Sequence, residues 1–194
     1  MKIGIDLDEV LADFLSALIR FHNEKHGTSF FREQFRSYHV HHIWGGTPDR
    51  TIREIYEFYT TKYFDDIRPM PGSLENIDRL SRDHELVVIT SRQNDISQKT
   101  MDWIDRFFNN KFSEVFFTNQ NSLHGACENK SDICKNSSVD FMVEDYMDYA
   151  AECAQSVKKV FLLDSPWNRA ESLPEKISRV YSWNEITEDL LRTK

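Results

Sequence analysis

The chain has 194 residues, 40% of them hydrophobic and 29% charged, with a formal net charge of −8. That is enough chain for one domain, or one core with an insert, and for a sizeable buried interior. The acidic balance argues against a nucleic-acid polymer or an anionic membrane surface as partner, and no run approaches the ~20 apolar residues of a membrane span.

Ile3 and Ile5 predict a short buried strand, with Asp6 and Asp8 at its end. A period of two puts both carboxylates on one face of an extended segment. Val10 to His26 has helical spacing (Leu11, Phe14, Leu15, Leu18, Phe21, His22), and Gly27 is its expected stop. Ser29 to Gly46 is rich in aromatic residues and histidines without a clean period. A second helix follows: Thr47 can cap it, Pro48 suits its first position, and Ile52, Ile55, Tyr59 and Tyr63 form an apolar stripe. Arg68-Pro-Met-Pro-Gly72 is a turn cluster.

Regular alternation begins there. Leu74, Ile77 and Leu80 mark a helix, Leu86 to Ile89 a strand buried on both faces, Ile96 to Phe108 a helix and Val115 to Phe117 a strand. Lys130 to Lys135 reads as a short helix, Phe141 to Val143 as a strand and Met147 to Val157 as a helix. Val160 to Leu163 and Val180-Tyr181 read as strands, and Trp183 to Leu191 as a closing helix. The expected fold is therefore α/β: a Rossmann-like parallel sheet with helices on both faces and a small helical cap inserted after the first strand. The expected division is a core of residues 1–11 and 68–194 and a cap of residues 12–67. The three cysteines, Cys127, Cys134 and Cys153, include no CxxC pair. Their number is odd, and no charged leader with an apolar run opens the chain, so a reducing, cytoplasmic setting is expected.

In a parallel sheet all strand C-termini share one edge, where open α/β folds bind ligands. Asp6 and Asp8 can meet there with Thr90-Ser91-Arg92, with Glu144-Asp145 and with Lys130, which opens a helix. Two carboxylates this close call for a cation or a shared proton. The set suits phosphoryl transfer, which needs an in-line nucleophile and neutralised equatorial oxygens. Asp6 is the expected nucleophile and Asp8 the acid/base, with Asp145 completing a hard-oxygen Mg²⁺ site. Thr90, Ser91, Arg92 and Lys130 are the expected phosphate- or substrate-binding groups. The amides opening the helix after Asp8 are an expected anion-binding end.

The ordered segments Asp6-Leu-Asp-Glu-Val-Leu-Ala-Asp-Phe14, Ile89-Thr-Ser-Arg92, Lys130-Ser-Asp-Ile-Cys-Lys135, Val143-Glu-Asp145 and Leu163-Asp-Ser-Pro-Trp-Asn168 resemble the haloacid dehalogenase superfamily. The second aspartate matches its phosphatase branch. A closer likeness, which includes Arg68-Pro-Met-Pro-Gly72, is to the 5′(3′)-deoxyribonucleotidases and their bacterial and phage relatives. The resemblance implies Mg²⁺ held by the Asp6 carboxylate, the Asp8 main-chain carbonyl and Asp145. It also implies a cap whose aromatic rings stack on a base, with Trp44 the candidate and Phe30, Phe31 and Phe35 read as cap core. The implied substrate is a small phosphomonoester, a (deoxy)nucleoside 5′-monophosphate, hydrolysed through an aspartyl phosphate. Sugar-phosphate hydrolysis and a non-catalytic phospho-aspartate module are the alternatives. Two positions depart from the pattern: Glu9 stands where the nucleotidases commonly have glycine, and Glu144 precedes Asp145 where the best-known members have two aspartates, though it can still serve as an outer ligand. Lys135 competes with Lys130 for the lysine role. His39, His41 and His42 are read as a polar cap loop rather than a metal site.

Overall fold

Among the described residues, six short runs of mostly β-branched and aromatic residues form one sheet, and every pairing in it is parallel. The computed structural model describes residues 1–120, 122, 124–169 and 172–193. The strands are β1 (Lys2–Ile5), β2 (Glu85–Thr90), β3 (Glu114–Phe117), β4 (Phe141–Glu144), β5 (Lys159–Leu163) and β6 (Ile177–Val180). Their order is β3-β2-β1-β4-β5-β6, so the chain leaves the central β1 in one direction and later returns to build the other. The strand order reverses beside β1, and a crevice opens at such a point beyond the strand C-termini.

Period two divides the strands between two cores. Ile3, Ile5, Leu86, Val88, Phe141, Val143 and Phe161 pack on one face, against helices α5 (Ser73–Leu80), α6 (Ser97–Phe108) and α9 (Trp183–Arg192). Val87, Ile89, Met142, Val160 and Leu162 pack on the other, against α7 (Lys130–Asn136) and α8 (Met147–Cys153). Gly4 faces the second core, where a β-carbon would lie 2.8 Å from the Met142 sulfur and 3.1 Å from Ile89 and Val139. Only glycine lets β1 lie that close to its neighbours.

Between β1 and α5 run four helices: α1 (Phe14–His26), α2 (His41–Trp44), α3 (Pro48–Phe58) and α4 (Lys62–Asp65). The two connections to this segment pair with each other: Asp13 N donates to Arg68 O at 2.8 Å and Met70 N to Leu11 O at 2.7 Å. Ala17, Leu18, Phe21, Phe58 and Phe64 belong to the same apolar cluster as one sheet face.

Two expectations are corrected here. The first helix starts at Phe14, not Val10: Leu11 and Ala12 amides both donate to Leu7 O in a tight turn. Val10 and Leu11 are apolar because the turn is buried, which imitates a helical period. In α3 the buried residues are Thr51, Glu54 and Phe58, while Ile52 and Ile55 are half-buried and face a cavity. Thr47 caps α3 as expected, its Oγ1 accepting the Arg50 amide at 3.3 Å. Among the described residues, no helix is long and apolar enough to cross a membrane.

Candidate active site

A cavity of about 600 Å³ opens over the C-terminal edge of the sheet. That is within the range of small-molecule sites. Its floor is Asp6, Asp8, Thr90, Ser91, Arg92 and Asp145; its opposite wall comes from α1, α3 and the 37–42 segment.

β1 delivers Asp6 to the junction with β4, where its amide donates to Val143 O at 3.0 Å. There Asp6 meets Glu144 and Asp145, and carboxylate oxygens of all three lie within 4.8 Å of one another. Lys130, fully buried at the start of α7, reaches them from behind: Nζ is 2.6 Å from Asp6 Oδ1 and ion-pairs Glu144. The other Glu144 oxygen accepts the amides of Asp145 (3.0 Å) and Tyr146 (3.2 Å). Trp167 Nε1 donates to Asp145 Oδ2 at 2.8 Å, and the Asn168 amide group donates to Asp145 O.

Three buried carboxylates share one ammonium. Burial, with the Glu144 and Asp8 charges, pushes Asp6 up to about 8 against the pull of Lys130. Burial, Glu144 and Asp6 raise Asp145 well above the carboxylate range. Burial opposes the Lys130 charge, but Asp6 and Glu144 outweigh it and hold its pKa above the usual value. A hard dication fits this donor set: it is all oxygen, it converges, and among the described residues its three carboxylates ion-pair only Lys130.

Asp8 lies on the other side of β1, toward β2. Arg92 Nε is 3.2 and 3.1 Å from its two oxygens, and an Arg92 terminal nitrogen is 2.7 Å from Oδ1. The Arg92 guanidinium also donates to Thr100 Oγ1 at 3.1 Å and lies over the Phe14 and Phe64 rings. Arg92 was expected to bind phosphate; it lines the cavity, yet its fork is committed to Asp8. Thr90 is buried, and its Oγ1 accepts the Arg92 amide at 3.2 Å. Ser91 is half-buried in the floor. Lys135, the rival lysine, is exposed.

Trp44 does not line the cavity. Its indole stacks on His22 (centroids 4.0 Å, 10°) and packs edge-on against Phe35. The cavity aromatics are Phe14, Tyr38, Tyr59 and Trp167. Tyr38 in turn stacks on Tyr146 at 3.8 Å, joining the 37–42 segment to the end of β4. Phe35 is buried as cap core, whereas Phe31 is 56% exposed. His39, His41 and His42 line the cavity mouth.

Sequence reasoning gave no role to Trp167, Tyr38 or the Glu9 carboxylate. The signal for Trp167 was present, since Asp164-Ser-Pro-Trp-Asn168 follows β5 on the same sheet edge. Glu9 has φ +65°, the left-handed region, which glycine adopts without strain and which suits the glycine that the resemblance implies there. Its buried carboxylate accepts the Leu15 amide at 2.5 Å and ion-pairs Arg32, which stacks on Trp167. Glu9 therefore occupies the α1 N-terminus that was expected to bind an anion.

The whole sequence, residues 1–194, matches the family described as 5′ nucleotidase, deoxy (pyrimidine), cytosolic type C protein. The chain belongs to this family. It is a phosphoric monoester hydrolase of nucleotidase type on the haloacid dehalogenase fold. A 5′(3′)-deoxyribonucleotidase of Bacillus subtilis is 25% identical over 191 residues, covering 97% of this chain and 98% of that protein. A haloacid dehalogenase-like hydrolase from Streptococcus pneumoniae superposes with a TM-score of 0.70 at 13% identity, over 97% of each chain. A hydrolase of the same superfamily from Bacillus subtilis, solved bound to magnesium, gives 0.66 at 11% identity, again over 97% of each. At such identities the two structures establish the fold.

Proposed function

We propose that the protein is a Mg²⁺-dependent phosphatase that hydrolyses (deoxy)nucleoside monophosphates, with Asp6 as nucleophile and Asp8 as acid/base. The observation that carries this reading is the pairing of Asp6 and Asp8 on either side of the β1 terminus, both facing one cavity, with Lys130 buried behind Asp6. The magnesium-bound neighbour and the converging Asp6, Glu144 and Asp145 support the choice of metal. When bound by Asp6, Asp145 and the Asp8 carbonyl, Mg²⁺ would offset phosphate charge and the mutual repulsion of the carboxylates.

In the forward half-reaction an Asp6 oxygen attacks phosphorus, and the ester oxygen leaves with the Asp8 proton. In the second half Asp8 takes a proton from water, whose oxygen attacks phosphorus and frees Asp6 and inorganic phosphate. The Arg92 fork fixes where the Asp8 carboxylate points in both half-reactions. Thr90 and Ser91 supply hydroxyls at the floor. Phe14, Tyr38, Tyr59 and Trp167 offer apolar and stacking surface to a base, and Ser37, Gln93 and Gln120 offer polar groups for its edge. Residues 12–67 form the cap and residues 1–11 and 68–194 the core. The free thiols of Cys127, Cys134 and Cys153 support a cytoplasmic setting.

Phosphate release should be followed over ribo- and deoxynucleoside 5′- and 3′-monophosphates and sugar phosphates, with Mg²⁺ and with EDTA. Nucleotides should be preferred, EDTA should stop turnover, and Asp6→Asn should lower kcat by roughly three orders of magnitude or more. Equal activity of Asp6→Asn and wild type would remove the nucleophile assignment, and a preference for sugar phosphates would remove the substrate class.

A further inference from the structure

A second convergence of ligand-type side chains joins α1 to α3, and none of its residues lines the cavity. His22 and His26 are four apart on α1, so both rings project from one face. Glu54 projects from α3 between them and is buried. His22 Nδ1 is 2.8 Å and His26 Nε2 2.9 Å from the same oxygen, Glu54 Oε1. All three ligand atoms fall within 4.8 Å of one another. The site is also preorganised: Trp44 stacks flat on the His22 ring and fixes its plane. The His26 side chain is 26% exposed, which opens the cluster to solvent.

We propose that His22, His26 and Glu54 form a binding site for a zinc-type dication, four-coordinate with one water, that ties α1 to α3. A His₂Glu set with one open position is a known ligand chemistry for Zn²⁺. In the metal-free cluster each ring presents a proton to one carboxylate oxygen. Binding replaces these two hydrogen bonds with two N–metal bonds, and each ring proton moves to the opposite nitrogen. Neutral rings therefore release no net proton. Burial depresses the His22 pKa and keeps that ring neutral, as a ligand must be. Burial alone would raise Glu54, but the two histidine hydrogen bonds outweigh it and hold Glu54 below the carboxylate range. One feature opposes the cation: Arg50, exposed and one turn before Glu54 on α3, bears its charge on His22.

Co²⁺ is the probe, added to the full-length chain after EDTA treatment and buffer exchange, with excess Mg²⁺ present to occupy the carboxylate site. One equivalent should give the intense visible bands of four-coordinate Co²⁺ with nitrogen ligands, and Zn²⁺ should displace it. His26→Ala and Glu54→Gln, each checked for native circular dichroism, should weaken Co²⁺ binding at least about tenfold. The triple variant His39→Ala/His41→Ala/His42→Ala should bind as wild type does, and Arg50→Ala should bind more tightly. The assignment is overturned if wild type gives no such bands, if they persist in His26→Ala and Glu54→Gln, or if they vanish in the triple variant.

Discussion

Both oxygens of the Asp8 carboxylate are taken by one guanidinium, and that contact decides what Arg92 does. Arg92 is 3% exposed and is held between the Phe14 and Phe64 rings, with Thr100 on its remaining nitrogen. A side chain so fixed positions Asp8 rather than reaching for a phosphate. Arg92→Lys keeps the charge and most of the stem but loses the planar fork. We expect kcat to fall by roughly tenfold or more with KM nearly unchanged, because the misplaced group acts only in the chemical steps. A rise in KM at constant kcat would return Arg92 to phosphate binding. Residue types at strand ends were legible in the sequence, because Asp6, Asp8, Thr90, Lys130 and Asp145 each sit at an element boundary that periodicity locates. Their partners were not. The Arg92–Asp8 fork spans 84 residues and the Trp167–Asp145 bond 22, and no local pattern encodes such distances. Trp44 was misplaced for the same reason: its exposure was inferred from the glycines beside it, whereas His22, far back in α1, covers it.

At the scale of elements, the start of α1 is built around Glu9. The turn needs a left-handed residue at position 9, a conformation that costs a non-glycine side chain about 1 kcal/mol or more. The carboxylate gives something back, since it accepts the Leu15 amide and pairs with Arg32 from the 32–34 turn. Burial dominates nonetheless and, against the pull of Arg32, raises Glu9 to about 7 from the usual 4.5. The folded state then holds this proton more tightly than the unfolded chain. Its stabilising contribution is complete below about 4.5 and is lost as pH rises through about 7, a change of roughly 3 kcal/mol. Glu9→Gln keeps an acceptor for the Leu15 amide and removes the titration. Denaturant unfolding of the metal-free proteins from pH 4.5 to 8 should show the variant gaining on wild type by up to roughly that amount. Parallel curves would mean that Glu9 is ionised throughout. The sequence marked Glu9 as a departure, yet the reason lay in a backbone angle. Strand positions were legible because runs such as Leu86 to Ile89 are buried on both faces and admit little but apolar residues. The turn at 10–13 was not, because burial placed apolar residues at helical spacing without a helix.

Across the whole molecule, one apolar cluster runs from the sheet into α1, α3 and α4, so the helical segment and the sheet should unfold together. Any local cost at the site is then carried by the global stability. That cost is substantial: Asp6, Glu144 and Asp145 are buried around a single Lys130. Asp6, held up to about 8, and Asp145, held well above its usual value, both bind protons more tightly when folded. Their contribution is present at low pH and fades as pH rises from about 4 toward 8, so the carboxylate cluster costs the metal-free fold most near pH 8. Asp145→Asn removes one charge, and its amide oxygen can still accept the Trp167 N–H. We expect the metal-free variant to exceed wild type by about 0.5–2 kcal/mol at pH 8, with the gap closing toward pH 4 as the wild-type carboxyl takes up its proton. Millimolar Mg²⁺ should raise the melting temperature of wild type and leave that of Asp145→Asn almost unmoved, because only a ligand that binds the folded state stabilises it. Turnover of the variant should collapse at every pH. A metal-free wild type as stable as Asp145→Asn at pH 8 would mean that Lys130 alone balances the cluster, and the case for a dication would then rest on family likeness without support from the charge of the site.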